Sequence, residues 1–331
     1  MAIVLDAMGS DHYPEPEVRA AVQAAEVLGE EVILVGKADL FSDLLERLNV
    51  NHAPVRIVDA PDVLEMTDKP VEAARKKPRN SMAVGMELVK TGQARAFVTA
   101  GNTGGAFFNA VQCLRRIQGI SRPALTAIIP TRKGKAIFMD TGANADCRPE
   151  FLLEFAIMGS VYSEKFLSVA SPRVSLLSNG EEEGKGNQLI KDATPLLKNS
   201  GLNFIGNVES KEIYAGEADV IVADGFSGNV FIKSSEAVAK FIFDIMRAEI
   251  SASFLRKMGY LLLKPVFSKL KKLVDPAEVG AAILLGVNGL VFIGHGRSDE
   301  RALFTALRNA KIAADAGLLE ALQGAIQDRL S

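Results

Sequence analysis

The chain has 331 residues, 48% of them apolar, with 38 Lys+Arg against 40 Asp+Glu and a formal net charge of −2. That length is ample for a sizeable core, and the even charge balance excludes a nucleic-acid binder built on phosphate contacts. Cys113 and Cys147 are too few for a disulfide framework and lack metal-ligand spacing, while His12, His52 and His295 form no zinc-like cluster.

Short apolar strands alternate with amphipathic helical patterns along the chain. Ala2–Leu5, Glu31–Val35, Val55–Val58, Ala94–Val98, Ala124–Ile129 and Lys135–Met139 read as strands, as do Val174–Leu177, Asn203–Ile205, Val220–Ala223 and Leu290–Ile293. Helical patterns lie between most of them, including Glu15–Leu28, Ala83–Lys90, Thr103–Arg116, Glu150–Val161 and Gln188–Lys198. Near-continuous apolar strands with intervening helices predict a mainly parallel sheet covered on both faces, a three-layer α/β/α sandwich. No linker or repeat divides the chain, so residues 1–331 are expected to form a single α/β catalytic domain. Ala2–Leu5 opens as a strand rather than a basic leader, and the most apolar stretch, Ala281–Ile293, is too short and too interrupted to span a bilayer. A cytoplasmic protein is the expectation.

The segments that follow the strands carry the chemistry. Asp6-Ala-Met-Gly-Ser-Asp11, Thr99-Ala-Gly-Asn-Thr-Gly-Gly105, Asp140-Thr-Gly-Ala-Asn144, Asp224-Gly-Phe-Ser-Gly-Asn229 and Gly294-His-Gly-Arg-Ser-Asp299 each open from a strand end. Singly they are ordinary turns and helix caps, with Asn80 or Ser81, Asn102 or Thr103, and Asn187 as cap candidates. Together, at carboxyl ends of strands in a parallel sheet, they are expected to crowd one crevice and hold a polar ligand. A further loop, Asn179 to Asn187, places Gly180, Gly184, Lys185 and Gly186 between a strand and a helix start, an arrangement that turns backbone N–H groups and a positive helix end toward an anion. It is not a Walker A loop, because Gly180 and Gly184-Lys185 enclose three residues rather than four. Glu181, Glu182 and Glu183 inside it would repel phosphate unless they point away or pair with cations. No dinucleotide fingerprint follows Leu5 or Val98.

Residues 251–275 differ from the rest and are expected to protrude as a basic amphipathic helical segment. Arg256, Lys257, Lys264, Lys269, Lys271 and Lys272 are its charges, and Leu263, Phe267, Leu270 and Val274 fall on one helical face. Pro265 suggests two helices meeting there. An anionic membrane surface, an acidic protein, or a dimer partner would each suit this segment.

Taken in order, Asp6–Asp11, Ala100-Gly-Asn-Thr-Gly104, Gly142-Ala-Asn144, Gly180–Asn187, Asp224–Asn229 and Leu284-Leu-Gly-Val-Asn-Gly289 with His295-Gly296 resemble the acyl-carrier-protein-dependent phosphate acyltransferases of bacterial phospholipid synthesis. The resemblance runs from Met1 to about Arg308. It implies a fold related to the isocitrate and isopropylmalate dehydrogenases and a homodimer. It also implies peripheral association with the inner face of the cell membrane, and transfer of an acyl group from acyl carrier protein to inorganic phosphate, without a cofactor or metal. The acyl phosphate would pass to a membrane-bound glycerol-3-phosphate acyltransferase. The sequence differs from the family pattern at Pro78 and Asn80, at Ala281 beside Gly280, and at Ile293, where a lysine is common.

Such a transfer needs positioned donors rather than a nucleophile relay, since phosphate is largely dianionic at neutral pH and a thiolate is a tolerable leaving group. On this reading Lys185, with the backbone of Gly180, Gly184, Gly186 and Asn187, holds phosphate. Ser10, Asn102, Thr103, Asn144, Asn179 and Gly228 complete the binding set, and Asn229 and His295 stabilise the oxyanion or protonate the leaving sulfur. Asp6, Asp11, Asp140 and Asp224 shape the loops. Leu255, Arg256, Lys257, Leu261, Leu262, Leu263, Lys264 and Phe267 meet the membrane or the carrier protein. The competing readings are a coenzyme-A-linked phosphate acetyltransferase, a metal- and NAD-dependent dehydrogenase of the same fold, and a carrier-binding membrane scaffold without turnover.

Overall fold

A computed structural model describes residues 2–48 and 54–330, so His52 lies outside the described residues. The strands are β1 (Ala2–Asp6), β2 (Val32–Gly36), β3 (Val55–Asp59), β4 (Ala94–Thr99), β5 (Ala124–Thr131) and β6 (Gly134–Met139). They continue with β7 (Val174–Leu177), β8 (Phe204–Val208), β9 (Val220–Val222), β10 (Ala282–Leu285) and β11 (Leu290–Ile293). Helices α1 (Glu15–Leu28), α2 (Ala38–Arg47), α3 (Pro70–Lys76), α4 (Ser81–Lys90), α5 (Thr103–Cys113) and α6 (Pro149–Leu167) fill the first half. The second half holds α7 (Gln188–Lys198), α8 (Ser210–Ala215), α9 (Gly225–Ser251), α10 (Phe254–Val274), α11 (Glu300–Asp315) and α12 (Leu318–Leu330).

All described strands join one sheet in the order β3-β2-β1-β4-β11-β10-β5-β6-β9-β7-β8. Because side chains alternate across a strand, each strand feeds two cores. Ile3 and Leu5 of β1 pack on one face with α1, α6, α7, α11 and α12, whereas Ala2 and Val4 face α3, α4 and α5. Ile137 and Met139 of β6 enter the first of these cores, and Ala136 and Phe138 meet α8 and α9 on the other side. Both faces are covered, as the near-continuous apolar strands require.

The sheet is mostly parallel, but its middle turns over. β10 pairs antiparallel with both β11 and β5, and β5 antiparallel with β6. Strands β1–β4 and β11 therefore run one way, and β6, β9, β7 and β8 run the other. The strand β10 was not expected. Ala281–Ile293 reads as one apolar stretch, but Gly286 to Gly289 forms a tight connection inside it, folding the stretch into a hairpin.

The basic segment also differs from expectation. It is one continuous helix, α10, with Pro265 inside it, rather than two helices meeting there. Pro265 forfeits one backbone hydrogen bond, and the carbonyl it leaves belongs to exposed Leu261, where solvent can satisfy it. None of the α10 residues is buried, and α10 packs chiefly on α9. Ala281 and Ile293, two of the positions that differ from the family pattern, are buried in the core. Gly280, beside Ala281, has φ 77°, with no room for a Cβ against the α11 backbone at Ala306.

Candidate active site

The reversal of strand sense sorts the loops into two groups rather than one edge. Loops after β6, β9 and β7 leave the same edge from three adjacent strands, while those after β1, β4 and β11 leave the opposite one. The expectation that strand ends crowd a single edge is thus corrected, because three successive antiparallel pairings, β11–β10, β10–β5 and β5–β6, invert the sheet between the groups.

In the first group, buried Asp140 knots its own loop. Its carboxylate accepts N–H bonds from Leu125, Gly142, Ala143 and Asn144 and from the Asn144 amide. Burial raises the pKa of Asp140, and the bonds from Ala143, Asn144 and Leu125 oppose that rise. The Asn144 amide also donates to the Pro123 carbonyl at 2.8 Å. Helix α9 starts against this knot. Asp224 caps it by accepting from Ser227 N–H, and the Gly225 N–H donates to the Asn144 carbonyl at 2.7 Å. A Cβ on Gly228 would lie 1.9 Å from the Asp140 carbonyl oxygen, so only glycine permits this approach. Asn229 stands one residue further along, with its side-chain carbon 3.5 Å from where a Cβ on Gly142 would be. Its amide makes no hydrogen bond among the described residues. The positive end of a 27-residue helix is thereby set beside the free Asn229 amide, a setting for an anion.

The loop after β7 lies on this same edge. Gly184 and Gly186 adopt φ 91° and 98°, and the Gly186 N–H donates to Asn179. Asn187 caps α7. Exposed Lys185 keeps its ammonium group unpaired among the described residues, with its backbone held by Glu182 and Asn207. Two of the three glutamates are drawn off by cations. Glu183 pairs with Lys198 and Glu181 with Lys211 at 3.1 Å, and Glu182 folds over Gly180. Glu181, Glu209 and Glu212 gather around the Lys211 ammonium, which already supplies their counter-charge.

The second group is stitched just as firmly. Thr99 donates to buried Asp6 at 2.7 Å, Gly294 N–H donates to the Thr99 carbonyl, and Asp11 N–H to the Gly296 carbonyl. Burial raises the Asp6 pKa, against hydrogen bonds from Ser81, Thr99 and Met8. Asn102 has no spare donors: it caps α5 and gives its amide protons to the carbonyls of Glu65, Met66 and Asp68. Its role here is to hold that segment. Thr103 and His295 are exposed, and their side chains have no partner among the described residues. Ser10 is buried, donating its N–H to Glu17 and accepting from His12. Hydrogen bonds thus gather Ser10 and His295 with Asn102 and Thr103, and separately Asn144 with Gly228 and Asn229.

Neither thiol is poised as a nucleophile. Burial pushes both Cys113 and Cys147 up to about 12, with a further rise at Cys113 from the neighbouring Glu87 carboxylate. Cys147, whose thiol reaches the Asn144 carbonyl at 3.5 Å, therefore stays protonated beside the first group. Arg122, absent from the sequence-based site, precedes Pro123, whose carbonyl holds the Asn144 amide. It carries no motif that would have marked it.

An α/β/α sandwich with glycine-rich loops, helix N-termini and a free lysine, but no nucleophilic triad or thiolate, defines a class suited to holding anionic substrates for direct transfer. The same fold occurs in a phosphotransacetylase from Streptococcus pyogenes (TM-score 0.61, 20% identity, covering 96% of this chain and 94% of that one). It recurs in a 4-hydroxythreonine-4-phosphate dehydrogenase from Salmonella typhimurium (TM-score 0.56, 12% identity, 94% and 99%). The family described as fatty acid synthesis protein matches residues 1–321, and the chain belongs to it. Relatives named phosphate acyltransferase include those of Elusimicrobium minutum, 43% identical with 96% of this chain and 94% of the relative covered, and Dictyoglomus turgidum, 45% identical with 94% and 93% covered.

Glu17 is a feature of the second group that sequence reading passed over, since an acid in the first turn of a helix ordinarily faces solvent. It is fully buried, and one carboxyl oxygen has no partner among the described residues. Burial raises its pKa to about 7, against the bonds from Ser10 and with a small push from Asp6. Between its ordinary value of 4.5 and about 7 the unfolded chain has lost this proton while the folded chain keeps it. Stability therefore falls as pH rises through that window, by at most roughly 3 kcal/mol. Glu17→Gln should remove this slope, so chemical denaturation at pH 5 and pH 7.5 should show the variant gaining on the parent at the higher pH. Parallel curves would mean that Glu17 ionises as freely in the fold as out of it.

Proposed function

We propose that the protein transfers a fatty acyl group from acyl carrier protein to inorganic phosphate, giving acyl phosphate and free carrier for phospholipid synthesis. The observation that carries the reading is the shared edge of β6, β9 and β7, from which the loop of unpaired Lys185 and the N-terminus of α9 with the free Asn229 amide both leave. Phosphate sits against Lys185 and the Gly184–Asn187 backbone. One of its oxygens attacks the thioester carbonyl carbon; an O–C bond forms, the C–S bond breaks, and the thiolate leaves with the carrier. The free Asn229 amide flanks the reacting carbonyl and stabilises the developing oxyanion, while Asn144, whose donors go to Asp140 and the Pro123 carbonyl, holds the loop beside it. With both thiols protonated, no acyl-enzyme is needed.

The second loop group supplies the other wall of the site. In this reading His295, exposed and unpaired, is the group to protonate the leaving sulfur, with exposed Thr103 beside it in the same loop group.

The α9–α10 arm gives the protein two further contacts. α9 is mixed in charge and exposes Val238, Phe241, Ile242 and Ile245, a face for a second copy of the chain. α10 has basic charges only, and its most exposed apolar side chains are Leu255 (82%) and Leu262 (84%), with Val266 and Leu273 continuing their stripe. The stripe of Leu263, Phe267, Leu270 and Val274 is less exposed, Phe267 stacking near Tyr260. Arg256 is engaged with Glu249 of α9. The outer stripe, flanked by Lys257, Lys264 and Lys269, suits an anionic membrane. No helix among the described residues is long and apolar enough to cross one. At the membrane, acyl phosphate would pass directly to a membrane-bound glycerol-3-phosphate acyltransferase.

Two substitutions test the reading. Lys185→Ala, on an exposed and unpaired side chain, should lower phosphate-dependent cleavage of acyl carrier protein by about 10²-fold or more while the circular dichroism spectrum persists. Near-normal turnover would remove Lys185 from the site. Leu262→Glu should abolish sedimentation with anionic liposomes and leave the oligomeric state unchanged; retained liposome binding with loss of the dimer would assign α10 to the subunit interface.

A further inference from the structure

We propose that the cleft between the end of α5 and the β10–β11 turn is the docking site for the acidic surface of the carrier protein, gripped by Arg115, Arg116 and Arg122. This rests on the reading that the acyl donor is carrier-borne, and it locates where that donor binds. The cleft has a volume of about 380 Å³, with Val111, Ile117 and Ile120 beneath a rim that includes Arg115, Arg116 and Gln118.

The backbone of this rim is fixed at several points. Arg115 is a non-glycine residue at φ 65°, a left-handed conformation disfavoured for a side-chain-bearing residue and so one that must be held in place. Its carbonyl accepts the Asn288 N–H at 3.0 Å, the Arg116 carbonyl accepts the Asn288 amide at 2.9 Å, and the Ile117 N–H donates to Gly286. Further along, buried Glu154 of α6 accepts N–H bonds from Ser121 at 2.8 Å and Arg122 at 3.4 Å. Arg116 also closes onto the Ser121 carbonyl. Three arginines are thereby presented on a rigid frame with exposed side chains, and no carboxylate among the described residues forms an ion pair with any of them.

Position and shape favour a protein partner here. Arg115 and Arg116 over the apolar residues of the cleft, with Arg122 beyond it, match an acidic, partly apolar protein surface better than a compact anion, and arginine beside apolar residues is the usual composition of such contacts. A carrier delivers its acyl group on an arm of finite length, so it must dock near the reacting carbonyl. The residue after Arg122 is Pro123, whose carbonyl holds the Asn144 amide at 2.8 Å. The lysines of α10, by contrast, sit on an arm that packs chiefly on α9. The two basic surfaces therefore divide the work, the arginine cleft taking the carrier and α10 the lipid.

The test compares two donors, an acyl group on carrier protein and the same acyl group on a small free thiol. Arg115→Glu and Arg122→Glu should raise KM for the carrier-borne donor at least about tenfold, flatten its dependence on ionic strength, and lower the preference for carrier-borne over free thioester by the same factor. Direct titration with acidic carrier protein should show the same loss. Titration also separates the two readings. Carrier binding that depends on these arginines, without acyl phosphate formation, would sink the proposed reaction and leave the docking site standing. Unchanged KM and carrier affinity in both variants, equal losses with both donors, or dissociation of the dimer would overturn the docking site.

Discussion

Helix α9 meets the loop after β6 so closely that a methyl group at Gly228 would lie 1.9 Å from the Asp140 carbonyl oxygen. Two further constraints fix the same junction: the Gly225 N–H on the Asn144 carbonyl, and the buried Asp140 carboxylate that gathers the loop's own N–H groups. The contact aims the α9 N-terminus at the loop and sets Asn229 beside Gly142. It also fixes the direction in which α9 leaves the body, and hence where α10 stands. The candidate phosphate site and the apolar, basic arm are thus joined through one backbone contact that tolerates no side chain.

Charge is handled by the same economy of position. Three adjacent glutamates beside a phosphate loop would be self-defeating, yet Lys198 and Lys211 draw two of them away, and Lys185 is left unpaired. Asp6, Asp140 and Asp224 spend their oxygens on loop N–H and hydroxyl groups rather than facing a ligand. With these three carboxylates occupied and the thiols protonated, Lys185 and the Asn229 amide are left as unpaired donors among the described residues. That matches a reaction whose nucleophile arrives already charged.

Much of this was legible from local chemistry. Strands such as Val174–Leu177 and Leu290–Ile293 agree with their apolar runs to the residue, and Asn80, Asn102 and Asn187 cap helices as their positions suggest. What was not legible depends on contacts distant in sequence. The apolar run containing β10 and β11 conceals a hairpin, and that hairpin, with β5–β6, reverses the sheet and splits the loops between two edges. Glu17 looks like a solvated first-turn acid and is buried because the β1–α1 loop folds over it. Pro265 reads as a break and is absorbed, since an exposed helix loses little by giving one carbonyl to water. Asn102, offered as a ligand for phosphate, has its donors committed to the Glu65–Asp68 segment, a use that no local pattern announces.

If phosphate binds against the α9 N-terminus as proposed, the Gly228 contact that seats this helix is indispensable to binding. Calorimetric titration of inorganic phosphate into the Gly228→Ala variant, with folding checked by near-ultraviolet circular dichroism, decides the matter. A folded variant that no longer binds phosphate at concentrations saturating the parent is expected; parental phosphate affinity in the folded variant would refute this arrangement.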